Sequence, residues 1–471
     1  MAIMVSFCLH QEALIFFSNR KERKCQRILR IRAILACSLL CDSCAKLIVF
    51  FRKIVTSADF IDQHRLSPQA FCRTRKLPFH VVIFFLLHLA TGSYQKELDA
   101  FFKTINGWDI SERFVSKVAW CKARVKLAYD AFIKLNDRVV QYFYDHFATL
   151  KWNGFYLKAI DGTTVRLPKT ADIVSHFGAW HPVRGDLCPM ARVSQMFDPL
   201  NRVSVDAIIA SKDQGERELA CSHLRKLTVH DLALLDRGYA CFWLFALILS
   251  VRANFCARMP VHWKSVKKFL KSRKSQQTIL LRPSLQSRNK CLKLGLDLKP
   301  LRLRLIRVEL TSGETEVLMT SLLDTNPYPH EIFSELYHQR WFVEEDFKTI
   351  KCWVEVENFT GKSVLSVYQD FHERILAKNL TSMLSFQTRQ RIEQDHQHCQ
   401  YRYQVNFAYA LSAAKNTLPL LFTRSTKTLK RLLTSLLVLI IKTTEPIRPD
   451  RKYDRHSKRK RLFHTCYKPI G

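Results

Sequence analysis

Hydrophobic and polar positions divide the chain into stretches of different period. Between 55 and 150 apolar residues recur at helical spacing in LPFHVVIFFLLHLATG, ELDAFFKTI and SKVAWCKARVKLAYDAFIKL, which predicts a helical region. In the last of these, Lys117, Lys122, Arg124 and Lys126 interleave with apolar residues, as on a basic helix lying along DNA or on a solvated face. At 152 the period shortens. WNGFYLKAIDGTTVRLP predicts two short strands around Asp161-Gly162, and RVSVDAIIA predicts a third. A helix is expected from Glu216 to Leu227. The run Leu232-Ala233-Leu234-Leu235 in DLALLDRGY then suits a strand buried on both faces. From 255 to 325 the pattern is basic and strand-like, with RLRLIRVEL and EVLMTSLLD parted by the turn signal Ser312-Gly313. Helical patterning returns at 330 and runs to 443. Strands and helices thus share the middle of the chain, an α/β (α+β) arrangement.

Charge narrows the function. The 471 residues carry 75 Lys+Arg against 41 Asp+Glu, a formal net charge of +34 spread along the whole chain. Such a field attracts polyanions. Nucleic acid is the leading partner, because neutralising phosphates supplies most non-specific affinity; a membrane surface is the plainer competitor. A membrane span is excluded by length. The apolar run LLTSLLVLII at 432–441 is shorter than the roughly 20 residues a crossing helix needs and reads as a core helix. The first apolar stretch precedes its basic cluster, the reverse of a secretory signal. A cytosolic protein with its fifteen cysteines reduced is therefore expected. Cys37, Cys41 and Cys44 are spaced like part of a zinc site, but no fourth ligand completes the set, and buried or idle thiols are the expectation.

The sharpest feature is an acidic run in this basic chain, Glu344-Glu345-Asp346 within ELYHQRWFVEEDFKTIKCW. On a helical wheel at about 100° per residue, with Tyr337 at zero, Arg340 falls at about 300°, Glu344 at about 340° and Lys351 at about 320°. Leu336, Val343, Phe347 and Ile350 cluster beside them as an apolar stripe. Glu345 and Asp346 point elsewhere, and both are expected to be solvated. Glu344 is the candidate. Taken alone, Arg340 and Glu344 are an i,i+4 salt bridge, and Asp161 before Gly is a turn residue. Together, Asp161 and Asp236 at predicted strand ends and Glu344 on a later helix form the set that one or two Mg2+ ions require. Two such ions can generate a hydroxide and stabilise the leaving oxygen of an in-line phosphodiester displacement.

The spacing Y-x2-R-x3-E-x6-K, met by Tyr337, Arg340, Glu344 and Lys351, resembles the signature of the IS4-group DDE transposases. AIDGTTVRLP and LLDRGY resemble the blocks carrying that group's two catalytic Asp residues, and RKLPFHVVIFFLLHL, SYQKELDAFF and ENFTGKSVLSVYQDF are also similar to family text. The resemblance covers roughly residues 60–460. It implies a ribonuclease-H-like core with a β-rich insertion. The expected organisation is a basic Cys-rich extension at 1–54 and a helical DNA-binding region at 55–150. The core would occupy 151–250 and 327–375, the insertion 251–326, and a helical region with a basic tail 376–471. The resemblance also implies roles. Asp161, Asp236 and Glu344 would hold two Mg2+ or Mn2+ ions, and Tyr337, Arg340 and Lys351 would contact phosphates near the element's end. The implied partners are double-stranded DNA and a second copy of the chain assembled on it, in the nucleoid of a prokaryotic cytoplasm. Group members can release the element through a hairpin. The Trp that stabilises a flipped base in relatives finds no clear counterpart here, Trp263 and Trp341 being the nearest. Two other readings remain: a nuclease of the same fold that joins nothing, and a DNA-binding relic.

Overall fold

The computed structural model describes residues 41–448, apart from 74, 91, 182–186 and 311–312. Two compact units divide the chain, one holding residues 51–383 and the other joining 41–50 to 384–448. The basic tail beyond 448 and the residues before 41, Cys37 among them, lie outside the described residues.

The larger unit is built on one nine-stranded sheet. Its strands are β1 (Tyr156–Arg166), β2 (Ala179–Trp180), β3 (Cys188–Asp198), β4 (Val203–Ser211), β5 (Asp231–Leu235), β6 (Asn254–Arg258), β7 (Gln276–Leu281), β8 (Leu301–Glu309) and β9 (Thr315–Thr320). β1, β3 and β4 form an antiparallel meander, and β5 and then β6 add to the other side of β1 in parallel. The spatial order β4-β3-β1-β5-β6 is that of a ribonuclease-H-like core. Alternation along β5 explains its unbroken apolar run. Leu232 and Leu234 enter the core on one face, with Val343, Phe347 and Phe371, while Ala233 and Leu235 enter the other, with Leu224, Leu244 and Phe245.

Two expectations change here. Asp161-Gly162 is no hairpin: β1 is one continuous strand of 11 residues. β3 pairs with Asp161 and Gly162 directly, and β5 pairs with β1 up to Ile160, so tertiary pairing overrides the local turn signal. The insertion is also neither separate nor purely β. Asn254–Arg258 is the fifth core strand, and β9, β8 and β7 extend the same sheet from it. Helices Lys264–Lys271 and Leu285–Lys293 lie between these strands in sequence.

Before β1, helices pack around aromatic side chains, among them Phe85 against Phe101 and Trp120. Arg124, read above as part of a basic face, is instead 5% exposed. Its guanidinium donates to Asp370 at 2.7 Å and to Gln369 at 2.7 Å. Lys117, Lys122 and Lys126 remain exposed.

In the smaller unit, helices Phe407–Thr423 and Thr426–Lys442 pack together, and strands β10 (Arg402–Val405) and β11 (Thr444–Ile447) pair antiparallel. Leu433, Leu436, Leu437 and Ile440 of the second helix are buried. Cys41 and Cys44 are buried too, their thiols donating to the carbonyls of Lys430 and Leu384. Among the described residues, no helix is long and apolar enough to cross a membrane.

Candidate active site

The site stands where β1 outruns β5. Ile160 is in register with Leu235, the last pair of β1 and β5, and an aspartate follows each, Asp161 within β1 and Asp236 just past the end of β5. Asp161 is therefore mid-strand rather than at a strand end. Both carboxylates follow the alternation of Ala159 and Leu234, which points them to the face covered by helix Trp341–Cys352.

That helix brings the remaining groups. The predicted single helix is two, Ile332–His338 and Trp341–Cys352, joined through Gln339 and Arg340. Their amides bond three residues back, to Leu336 and Tyr337, so the turn tightens but the helical path continues. The wheel survives this joint: Leu336, Val343, Phe347 and Ile350 are all buried.

Arg340 is the centre of the polar constellation and is only 2% exposed. One guanidinium nitrogen donates to the Glu344 carboxylate at 2.8 Å, and another lies 3.6 Å from the Asp161 carboxylate. Burial opposes its charge, but Tyr337, Glu344 and Asp236 outweigh that and raise its pKa. The Tyr337 hydroxyl, also buried, donates at 3.3 Å to the Leu235 carbonyl and lies 3.4 Å from the Asp236 carboxylate. Lys351, two turns beyond Glu344, donates to the Thr163 hydroxyl of β1 at 2.6 Å. All six residues picked from the sequence thus gather along the C-terminal end of β5 and the middle of β1.

Asp161 shows what this gathering does. Burial is the main cause that lifts its carboxyl to about 6, with the charges of Glu344 and Asp236 adding to it. The Gly162 amide, donating at 2.8 Å, and Arg340 pull the other way. A cation among these acids would relieve that cost, and three half-exposed carboxylates suit a hard divalent ion. Among the described residues no three His, Cys, Asp or Glu side chains stand at metal-holding spacing; the set is held as shown by Arg340, which occupies Glu344.

The acidic run splits differently from the expectation. Glu345 is exposed beside Lys348. Asp346 is not solvated but 8% exposed, and it accepts from Lys378 at 2.6 Å and from Gln195 at 2.6 Å. Neither partner is near it in sequence, and no periodicity could have exposed the pair.

Residues 152–380 match the transposase DDE domain family. The chain is also 24% identical over 322 residues to the transposase InsG of insertion sequence element IS4 from Escherichia coli (strain K12), covering 65% of this chain and 70% of that protein. The chain belongs to the DDE transposases of the IS4 group. Among solved structures, this DDE transposase is similar to piggyBac transposase in a synaptic complex with hairpin DNA. The identity is 10%, the coverage 86% of this chain and 87% of that one, and the TM-score 0.44. The matched segment contains every strand of the sheet and all six residues of the gathered constellation, so family membership and site fall on the same part of the transposase.

Proposed function

We propose that this DDE transposase cuts DNA at the ends of its element and joins the freed ends to target DNA, using Asp161, Asp236 and Glu344 as the acids of the cleavage site. The observation that carries this reading is the side-by-side placement of Asp161 and Asp236, with Arg340 reaching from Asp161 to Glu344. Bound there, Mg2+ or Mn2+ ions would supply the charge that activates water and neutralises the leaving 3′ oxygen.

The chain's own residues do the positioning. Tyr337 ties the end of β5 to helix Ile332–His338 and so fixes Asp236 against Asp161. Arg340, sealed under the site, holds Glu344 in the free protein and keeps Asp161 ionisable among its acidic neighbours. Lys351 stands on the DNA side of β1 at Thr163, where its charge suits a phosphate of the element's end. With Tyr337 and Arg340 this buried, their part in gripping phosphate acts through the acids they place, whereas Lys351 contacts the strand itself. Joining both ends of an element requires two such sites, and a second copy of the chain on the DNA supplies the other.

The test is Mg2+-dependent cleavage and joining of DNA carrying the gene's own flanking ends, with wild type beside Glu344→Gln. Cutting and joining that vanish in the variant support the reading. Cutting without joining leaves a nuclease, and binding without cutting leaves a relic.

A further inference from the structure

The segment between β6 and β8 concentrates the chain's charge. From Lys264 to Arg302 stand twelve Lys or Arg and one acid, Asp297, a net +11 of the whole chain's +34. This is no solvated tail, because both of its helices are anchored in the larger unit. Val266 and Phe269 of helix Lys264–Lys271 and Cys291 of helix Leu285–Lys293 are buried in the core on the sheet face opposite helix Trp341–Cys352. Their cations stay outside: Lys264, Lys267, Lys268, Lys271 and Lys293 are exposed. A fixed basic face attracts a polyanion and need not be ordered first.

Part of this face borders a cavity of about 330 Å3. Arg217, Lys290 and Lys293 bring cations to its wall, and Gln286, Ser287 and Asn289 bring further hydrogen-bonding groups. Its one carboxylate, Glu218, meets Lys290 at 3.2 Å, and the same ammonium lies 5.1 Å from the centre of the Trp243 ring. An ion pair this exposed is weakly held and yields to a phosphate. Two contacts fix where the cavity stands. Arg217 Nε donates at 2.8 Å to the carbonyl of Gly238, two residues past Asp236. Glu216, the residue before Arg217, lies against Gly162, where a Cβ would meet its side chain at 3.4 Å. Gly162 and Thr163 face opposite sides of β1, and Lys351 donates to Thr163. The cavity and Lys351 therefore stand on opposite faces of the sheet, with the acids past the end of β5 adjoining both.

We propose that this cavity binds the backbone of DNA outside the element, on the far side of the scissile phosphate from the phosphate met by Lys351. A strand lying over Asp161 and Asp236 runs off both faces of the sheet. One departure meets Lys351, and the other meets Arg217, Lys290 and Lys293, whose charges neutralise its phosphates. The inference rests on the assignment of the cleavage site made above, which puts the scissile phosphate at these acids.

Binding is measured on two duplexes, with Ca2+ in place of Mg2+. One stops at the element's terminus and the other continues into flanking DNA. The log–log salt slope of wild type should be steeper on the flanked duplex. In the double variant Lys290→Ala/Lys293→Ala that slope should flatten by about 1.8, two phosphates' worth, while the slope on the trimmed duplex stays as in wild type. Lys290→Arg/Lys293→Arg keeps both charges and should match wild type on both. Equal wild-type slopes on the two duplexes, or no flattening in the alanine variant, would overturn the proposal by leaving the cavity without a phosphate. Equal flattening on both duplexes would overturn it as well, because the lysines would then grip the element's own DNA. So would flattening in the arginine variant, which would make the latch of Lys290 to Glu218 the cause. Wild type that cuts nothing in Mg2+ sinks the cleavage-site assignment instead, and the slopes in Ca2+ still report whether the cavity takes flanking DNA.

Discussion

Helix Trp341–Cys352 carries two carboxylate–cation pairs two residues apart, and they do opposite things. Glu344 meets Arg340 within the helix repeat at the edge of the sheet, and its side chain is 35% exposed. Asp346 meets Lys378 from helix Val364–Phe386; the lysine side chain is 0% exposed and also donates to Ser204. Burial works against Lys378's charge, and Asp346 only partly restores it. The second pair is a structural bolt between helix and helix, satisfied on every side. In the first only the carboxylate is open to solvent, over a buried guanidinium, and it adjoins the Asp161 carboxyl, whose proton burial already makes harder to lose. A carboxylate's chemistry is decided here by what its cation leaves exposed, not by the residue pair itself.

The comparison breaks most visibly at Glu344. Glu344→Gln should lower cleavage by more than about a thousandfold, the scale of losing a few kcal/mol of charge stabilisation in the transition state. Its effect on unfolding free energy should be smaller than that of Asp346→Ala, because Asp161, 3.6 Å away, still faces the buried Arg340 guanidinium. Glu345→Gln should change neither. Dead cleavage in the Glu345 variant would mean that the wheel had been read one residue out.

Asp346→Ala should show the reverse profile. Leaving Lys378 charged and unpaired in the core should cost about 3–5 kcal/mol, read from the urea midpoint at unchanged slope. Adding Lys378→Met should recover most of that loss, because the uncompensated charge goes with it. A single variant as stable as wild type would show that water reaches Lys378, and the contrast between the two pairs would collapse.

What could be read from the sequence follows the same division. The stripe Leu336, Val343, Phe347 and Ile350, the two-sided burial of Leu232–Leu235 and the gathering of Tyr337, Arg340, Glu344 and Lys351 are all local periodicities. They persist through the tightened turn at Arg340 because the backbone there stays helical. Asp346 and Arg124 were misread because their partners, Lys378 and Asp370, are 32 and 246 residues away. A charged residue off the apolar stripe reads as solvated unless its distant partner is known. Asp161-Gly162 was misread for a related reason. Its turn signal is local, while the strands that hold it straight come from beyond residue 187. β3 itself, with Pro189 and several polar residues, gave no alternation to follow.

A third comparison concerns pH. Asp161 in the folded protein titrates at about 6, above the ordinary aspartate value of 3.8. The native state therefore binds this proton more tightly than the unfolded chain does. The favourable contribution is complete below about pH 4 and is lost as pH rises through 6. With a chelator present at pH 7.5, Asp161→Asn should be more stable to unfolding than wild type, by up to about 3 kcal/mol, while losing cleavage. The gap should close by pH 4. A gap of opposite sign would show that Arg340 dominates over burial at this carboxyl.

The smallest effect is expected at Lys351. If its ammonium meets a phosphate of the element's end, Lys351→Ala should flatten the salt dependence of end binding by about 0.9 in log–log slope, one phosphate's worth. Stability should barely move, since the side chain is not sealed in the core. The hydrogen bond to Thr163 offers a competing explanation, in which Lys351 only pins the helix to β1. Thr163→Val separates the two, because it removes the pin and keeps the charge. If the slope changes in the lysine variant alone, Lys351 belongs with Glu344 on the open side of the helix. If the slope is unchanged in both, Lys351 belongs with Asp346 among the bolts, and the end of the element is gripped elsewhere.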